Sequence, residues 1–201
     1  MMNFEQTVLH CGAPALCGIK PACLLSVNKK TLFNQYSKIL QWNLELKNQD
    51  TFIKIARRNK ELYLIFIYDK NLLARTIFSI PSQKYLLQKG YRIYEGFDSV
   101  LTELLSRLSN SKSFPHEIGL FLGYPIEDVI GYERNFGCNC KFCGAWAVYG
   151  DVESAKSKMK LFKDCSKNCC KLLDKGEEIP SISKKWRNEN EKSCCLCKYN
   201  W

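Results

Sequence analysis

Apolar residues recur with the period of a helix in three long segments of the chain. Residues 29–47, 96–108 and 152–174 each place an apolar stripe along one face, which predicts three amphipathic helices. The stripes comprise Leu32, Tyr36, Ile39, Leu40 and Leu44; Phe97, Leu101, Leu104, Leu105 and Leu108; and Val152, Ala155, Met159 and Phe162. Asn28 and Asp151 stand where N-cap side chains are favoured, and Gly176 stands where a helix ends. We expect these helices to bury their stripes in a common core.

Four other segments are rich in β-branched and aromatic residues and predict strands. They are Ala22–Val27, Phe52–Arg57, Leu62–Tyr68 and residues 142–149. The second and third flank the polar turn "RRNKE", which predicts a hairpin. Because Leu62–Tyr68 is almost entirely apolar, we expect it at the centre of the sheet.

Shorter helices are predicted where proline and glycine residues limit the length of a helix. They cover residues 3–9, 70–78 and 82–89, with a break at Pro81, and two more lie within "FPHEIGLFLGYPIEDVIGY". The segment that begins "CGAPALCGIKP" is expected to be irregular. The sequence thus predicts an α+β fold, with a small, mostly antiparallel sheet of about four strands packed with about seven helices. We expect one domain over residues 1–175 and a polar, cysteine-containing tail over 176–201.

Charge and hydropathy narrow the class of protein. The 201 residues carry a formal net charge of +10, but the lysines are mixed with acids, as is typical of a solvated basic surface. No basic residue precedes Lys20, so no secretory leader is predicted. No stretch approaches the roughly 20 apolar residues of a membrane span. We therefore expect a soluble, cytoplasmic protein.

The stretch from Phe114 to Tyr132 has almost the spacing of a helix-turn-helix, with Gly123 in the turn. The recognition helix would then begin with Ile126, Glu127 and Asp128. Two acids facing phosphates oppose DNA binding, which depends on lysine and arginine. Nucleic acid is not expected as a partner, and the stretch is interpreted as two short helices.

This stretch, the segment "FCGAWAVYGD" and the N-terminal "HCGAPALCGIKPACLL" together resemble the uncharacterised bacterial family DUF3793 over roughly residues 5–175. The resemblance implies a protein typical of anaerobic bacteria and supplies no established activity. The residues at matching motif positions are His10, Cys11, Pro14, Gly18, Lys20, His116, Glu117, Gly119, Gly123, Gly144, Trp146, Tyr149 and Gly150. The chain departs from the family pattern at Gly12, Ala15, Cys17, Cys23 and Ala147. Cys17, Cys23 and the tail cysteines are therefore poor candidates for a chemistry shared by the family.

The first candidate site combines a thiol, two imidazoles and an ammonium. A base near Cys11 would activate its thiolate, and the candidates are His10 and His116, the latter oriented by Glu117. The alternative is a small buried cysteine beside a structural histidine.

Anion binding is a second possible role for the same region. Lys20 follows a glycine-containing segment with Gly18, where backbone N–H groups and one ammonium can hold a phosphate or carboxylate. Trp146 and Tyr149 are expected on opposite faces of one strand, one in the core and one lining a pocket. The leading hypothesis is a small-molecule or anion-binding protein, or a thiol-dependent one, with a cleft where the 10–20 segment meets His116.

The runner-up is a redox- or metal-associated protein that uses the cysteines of the second half. Cys138, Cys140 and Cys143 are the candidate metal ligands, and Cys165, Cys169 and Cys170 lie on one helix. Zinc sites and iron–sulfur clusters take four ligands, and no standard spacing of four appears, so neither cofactor is favoured. A third hypothesis is a basic protein-interaction module without catalysis. The oligomeric state is not predicted.

Overall fold

A computed structural model of the chain describes residues 2–110 and 113–197, with side chains as far as residue 189. The described residues form nine α-helices and five strands, which confirms the α+β fold class. The elements are α1 (Phe4–Leu16), β1 (Ala22–Asn28), α2 (Lys29–Leu46), β2 (Thr51–Arg57), β3 (Leu62–Asp69), α3 (Lys70–Ile77), α4 (Ile80–Gln88), α5 (Phe97–Asn110), α6 (Ile118–Phe121), α7 (Ile126–Asn135), β4 (Phe142–Cys143), β5 (Ala147–Val148), α8 (Val152–Asp174) and α9 (Ile179–Cys197), with one-turn 3-10 helices at Lys47–Gln49 and Ile93–Glu95.

The main sheet has the order β1-β3-β2, and both pairings are antiparallel. The predicted hairpin and the central position of β3 are therefore confirmed. Alternate residues of β3 enter two separate apolar cores, with Ile65 and Ile67 in one and Phe66 in the other. Helices α1, α2, α8 and α9 cover the first face, and α3 to α7 cover the second. Because both faces are covered by helices, β3 is apolar along almost its whole length.

The first helix is longer than its sequence predicts. A helix was expected over residues 3–9, with irregular chain after it, but α1 continues through Gly12 and Pro14 to Leu16. A Cβ on Gly12 would lie 3.0 Å from Cys23 Sγ and 3.2 Å from Ile67, so glycine lets the helix pack closely on the sheet. Pro14 lies in the last turn, where it removes only one intrahelical hydrogen bond. The irregular conformation predicted from these residues is wrong.

The predicted stripe of α2 is only partly confirmed. Leu32 and Ile39 are buried as expected, and Trp42 and Leu46 complete the buried face. The other members of the predicted stripe, Tyr36, Leu40 and Leu44, are exposed together with Phe33. The helix carries apolar residues on two faces, and the core selects the one that includes Trp42, which stacks on Phe4.

Residues 142–149 form a hairpin and not the single strand that was predicted. The two-residue strands β4 and β5 pair with each other, and Gly144 lies in the connection between them. A Cβ on Gly144 would lie 2.6 Å from Met159 Sδ, so the hairpin approaches α8 closely. Strand β5 contains only Ala147 and Val148, so Trp146 and Tyr149 flank it and do not belong to one continuous strand as predicted.

The segment after residue 176 begins with α9, whose residues Ile179 and Ile182 belong to the first core. Arg187 on the same helix binds the carboxylate of Asp69 at 2.8 Å and donates to the carbonyl of Leu16. The division into a domain and a tail stays a prediction. The tail cysteines at 194, 195 and 197 lie outside the described side chains.

The two short helices expected within residues 114–132 are present as α6 and α7, and Asp151 caps α8 through Glu153 N–H and Ser154 N–H as predicted. Within the described residues, no helix combines the length and the apolar character that a membrane span requires.

Gly18 ends α1 in a left-handed conformation, which supplies a first prediction. Its φ is +70°, and a Cβ would lie 2.9 Å from an Arg187 guanidinium nitrogen. A Gly18→Ala variant is expected to lose about 2 kcal/mol of folding free energy, from left-handed strain and from displacement of Arg187. Gly176→Ala is the matched control, because its φ is +89° and nothing lies within 4 Å. Urea unfolding that ranks Gly18→Ala as no worse than Gly176→Ala would contradict the role of the Arg187 contact.

Candidate functional site

A hollow of about 880 Å³ lies between α1 and α8 and is called here the Lys20 cleft. Its walls contain His10 and Cys11 from α1, Lys20 from the α1–β1 connection, and Trp146 from the β4–β5 hairpin. The remaining lining residues are Met2, Gln6, Pro14, Tyr124, Ala145, Met159, Phe162, Lys163, Ser166, Lys167, Cys170, Lys171 and Asp174. Five residues singled out from sequence motifs, with Pro14 as the fifth, therefore meet in one hollow.

Lys20 is placed by the way that α1 ends. Gly18 reverses the chain, and the N–H groups of Ile19 and Lys20 both donate to the Pro14 carbonyl, at 2.9 and 3.0 Å. Helices commonly end in this way, with a left-handed glycine followed by amide donors that satisfy the last carbonyls. The turn directs the Lys20 side chain into the cleft and leaves Gly18 itself outside the lining.

The ammonium of Lys20 lies among aromatic rings. Its Nζ is 5.5 Å from the ring centroid of Tyr124 and 5.4 Å from that of Phe162, within the range of cation–π attraction. In the described part of the chain, no Asp or Glu oxygen lies within 4.0 Å of this nitrogen. Burial lowers the pKa of Lys20, and the nearby thiols Cys23 and Cys11 oppose that shift. The ammonium is thus partly dehydrated without the carboxylate that normally accompanies a buried lysine.

The thiol of Cys11 is not activated by its surroundings. Burial raises the pKa of Cys11, and the positive charge of Lys20 opposes the change by a smaller amount. His10 directly precedes Cys11 on α1, and both residues are exposed and line the cleft. At neutral pH the thiol therefore stays protonated, whereas a nucleophilic cysteine needs a lowered pKa.

A stacked pair of rings forms one wall of the cleft. Tyr124 and Trp146 lie 4.7 Å apart between centroids, with their planes 19° from parallel. The Trp146 indole N–H donates to Asp128 at 2.8 Å. Asp128 also accepts from the backbone N–H of Tyr149 at 2.7 Å and of Gly150 at 2.8 Å. One buried carboxylate on α7 thus fixes both the tryptophan and the end of the hairpin.

Three lysines form the outer rim on α8. Lys163, Lys167 and Lys171 are four residues apart, which places them on one face of the helix, and all three are exposed. Asp174 is the one carboxylate in the lining that the structure describes, and it accepts a hydrogen bond from Gln6 at 3.2 Å. With Lys20, the cleft carries four ammonium groups against one carboxylate, so its potential is positive.

His116 and Glu117 do not line the Lys20 cleft. His116 lies against the Tyr132 ring in a second hollow of about 490 Å³, which shares Tyr124 and Trp146 with the cleft as a common wall. Glu117 is buried on the other side of its helix turn, where it accepts from Arg107 at 2.9 Å and from the Tyr91 hydroxyl at 3.2 Å. Glu117 therefore serves an internal ion pair and does not orient His116. The structure does not assemble the predicted set of Cys11, His116 and Glu117.

Tyr149 also lies outside the Lys20 cleft. Its ring packs against Gly131, where an added Cβ would clash with the ring, and its hydroxyl donates to the Cys138 carbonyl at 3.0 Å. Tyr149 therefore holds the hairpin against α7 and the loop that carries Cys138. Of the two aromatic residues predicted around this hairpin, Trp146 alone lines the cleft.

The cysteines meet in a different combination from the one predicted. Among the described residues, Cys138, Cys140 and Cys143 do not form a group of three close sulfurs, and two of them are exposed. Cys17, Cys165 and Cys169 do form such a group, with their sulfur atoms all within 4.8 Å of one another. Sequence spacing did not identify this group, because Cys17 lies far from the other two along the chain.

Several residues that line or support the cleft were not predicted to do so. Tyr124 lies in a predicted turn, and Phe162 was assigned to the core. Asp128, which supports Trp146 from outside the cleft, is predicted from the sequence only as an acid in the first turn of a short helix, where it opposes DNA binding. The basic rim could have been predicted from the sequence, because a spacing of four residues places the lysines of α8 in a row on one face of a predicted helix.

Comparison with known proteins yields one family. The family described as "Protein of unknown function (DUF3793)" matches residues 8–183, which is most of the chain. No curated protein and no solved structure matches the chain.

Proposed function

The chain belongs to the DUF3793 family, whose function is unknown, and we propose that it binds a small anionic molecule in the Lys20 cleft. The observation that carries the proposal is the Lys20 ammonium, which is partly dehydrated and has no carboxylate partner among the described residues. Removing a charge from water without pairing it is unfavourable. A bound anion would supply the missing counter-charge.

The rest of the cleft indicates what such a ligand would carry besides its charge. Tyr124, Trp146 and Phe162 offer flat apolar surfaces, and Met159 offers a polarisable one. Small-molecule sites commonly occupy about 300–1,000 Å³ and combine apolar walls with a few polar groups. The proposed ligand is therefore a carboxylate, sulfonate or phosphate joined to an aromatic or similarly flat apolar group. The exposed lysines of α8 would attract it toward the opening.

Binding is favoured over thiol catalysis because of the protonation state of Cys11. Burial raises the pKa of this thiol despite the neighbouring ammonium. His116, the base considered for it, lies in the second hollow. Cys11 then acts as a neutral wall of the cleft.

A series of probes that share one ring system tests the proposal. Naphthalene-2-sulfonate, naphthalene-2-methanol and 2-naphthylmethylammonium differ in charge but present the same aromatic surface. Calorimetric titration at low salt is expected to rank them anion first, neutral second and cation last. Equal affinity for the anion and the alcohol would overturn the anion assignment. Failure of all three to bind would overturn the cleft itself as a site for such molecules.

The pH dependence of sulfonate binding is a further prediction. The sulfonate does not titrate in the accessible range, so a change in affinity reports the protein. Because the pKa of Lys20 is lowered from the usual 10.5, its positive charge disappears at a lower pH than that of an exposed lysine. Affinity is therefore expected to fall as pH rises toward 10.5. Ionisation of Cys11 at high pH acts in the same direction, so a Cys11→Ala variant should retain the fall. Affinity that stays constant until the exposed lysines titrate would contradict the role of Lys20.

A further inference from the structure

Three cysteines from two helices meet inside the first core. Cys17 caps the end of α1, and Cys165 and Cys169 are one turn apart on α8. Their side chains are 2%, 1% and 0% exposed, and Cys17 Sγ lies 3.6 Å from Cys169 Sγ. All three sulfur atoms lie within 4.8 Å of one another. This group is called here the Cys17 cluster.

The spacing of the sulfur atoms suits a single metal ion. Three thiolates around one ion at a metal–sulfur distance of about 2.3 Å are about 4.0 Å from each other in a trigonal arrangement. The distance of 3.6 Å between Cys17 Sγ and Cys169 Sγ is within a few tenths of an ångström of that spacing. We propose that Cys17, Cys165 and Cys169 bind one Cu(I) ion.

The choice of ion follows from the ligand type and the ligand number. Thiolates select Cu(I), zinc and iron–sulfur clusters. Structural zinc and iron–sulfur clusters take four protein ligands, and no fourth Cys, His, Asp or Glu joins the cluster among the described residues. Three thiolates complete the coordination of Cu(I). This ion needs no water ligand, so a site that water does not reach can hold it.

Metal ions bind the thiolate form of cysteine, so binding of Cu(I) must release the thiol protons of the cluster to solvent. The affinity of the cluster for Cu(I) should accordingly increase with pH.

The site is expected to belong to this chain and not to the whole family. Cys17 stands where the DUF3793 motif is expected to have another residue. A family member that keeps the usual residue there would lack one of the three thiols. It lies on the side of α8 that faces the core, whereas the Lys20 cleft uses neighbouring residues such as Ser166 and Cys170. The proposal is therefore independent of anion binding.

Competition with a Cu(I) chelator under anaerobic conditions tests the cluster. The full chain, a Cys169→Ala variant and a Cys23→Ala variant are titrated against bathocuproine disulfonate. Cys23 is the matched control, because it is equally buried but lies outside the cluster. Loss of Cys169 is expected to weaken the tightest site by more than about 100-fold, since even outer-shell partners of metal ligands contribute 10- to 100-fold. Loss of Cys23 should leave that site unchanged, and equal effects of the two substitutions would overturn the proposal.

Two further measurements keep the test informative if Cys169→Ala fails to fold. One equivalent of Cu(I) should raise the melting temperature of the full chain, because an ion held by the native cluster stabilises the folded state. Copper bound only by thiols of the unfolded chain would lower it. X-ray absorption should count three sulfur neighbours around copper in the full chain. Two sulfur neighbours, a lowered melting temperature, or tight binding of zinc with no retention of Cu(I) would each contradict the assignment.

Discussion

An Asp128→Ala variant is expected to lose about 3–4 kcal/mol of folding free energy. The carboxylate is 2% exposed and accepts three hydrogen bonds, from Trp146 Nε1 and from the backbone N–H groups of Tyr149 and Gly150. Each buried donor left without an acceptor costs about 1–3 kcal/mol. The two backbone donors are only part-buried, so water recovers some of that loss. Urea denaturation gives the change directly, provided that the dependence on denaturant concentration is unchanged.

The neighbouring carboxylate supplies the control for this prediction. Glu127 lies in the same first turn of α7 but is exposed, so Glu127→Ala should change stability little. Because Asp128 holds Trp146, the Asp128→Ala variant should also bind naphthalene-2-sulfonate more weakly at a temperature where it is still folded. A loss below about 1 kcal/mol would show that the hairpin does not depend on this carboxylate.

A Lys20→Met variant is expected to bind naphthalene-2-sulfonate about 30-fold more weakly than the parent chain. Truncating one partner of a desolvated charge pair costs about 2–5 kcal/mol, and the lower end applies because the cleft is open to solvent. Methionine retains most of the side-chain volume, so the rings of Tyr124 and Phe162 keep a neighbour. Removing an unpaired ammonium should at the same time raise the melting temperature. Weaker binding together with higher stability cannot be explained by unfolding.

Lys163→Met is the control for the loss of a positive charge in general. Lys163 lines the same cleft but is exposed on α8, where ion pairs are weak and salt screens them. Its replacement should weaken binding by less than about 3-fold and only at low salt. If Lys163→Met and Lys20→Met reduced the affinity equally, the binding would follow net charge and not the site.

The sheet could be predicted from the sequence because its cause is local. The apolar run of Leu62–Tyr68 and the turn before it determine a central strand and its hairpin partner. Asp151 determines the start of α8 in the same way, through a cap that its own side chain completes. In each of these elements the deciding contacts lie within a few residues.

The extent of α1 and the buried face of α2 could not be predicted because distant contacts decide them. Gly12 stays helical because the sheet approaches it, through Cys23 and Ile67. Trp42 is buried because it stacks on Phe4, a residue of another helix. Periodicity alone leaves both outcomes open.

The candidate site, too, contains a part that the sequence predicts and a part that only the fold brings together. The motifs around His10, Lys20 and Trp146 predict candidate site residues, and these residues line one cleft. Tyr124 and Phe162, which surround the ammonium, are reached only through the fold. The Cys17 cluster joins residues 152 positions apart, so no spacing rule along the chain indicates it.

A crystal structure of the full chain soaked with naphthalene-2-sulfonate tests the central claim most directly. The proposal predicts density in the Lys20 cleft, with a sulfonate oxygen within about 4 Å of Lys20 Nζ, the distance of an ion pair. The naphthalene ring should lie against Tyr124, Trp146 or Phe162. A sulfonate bound only at the exposed lysines of α8, or a ring in the hollow beside His116, would contradict the account.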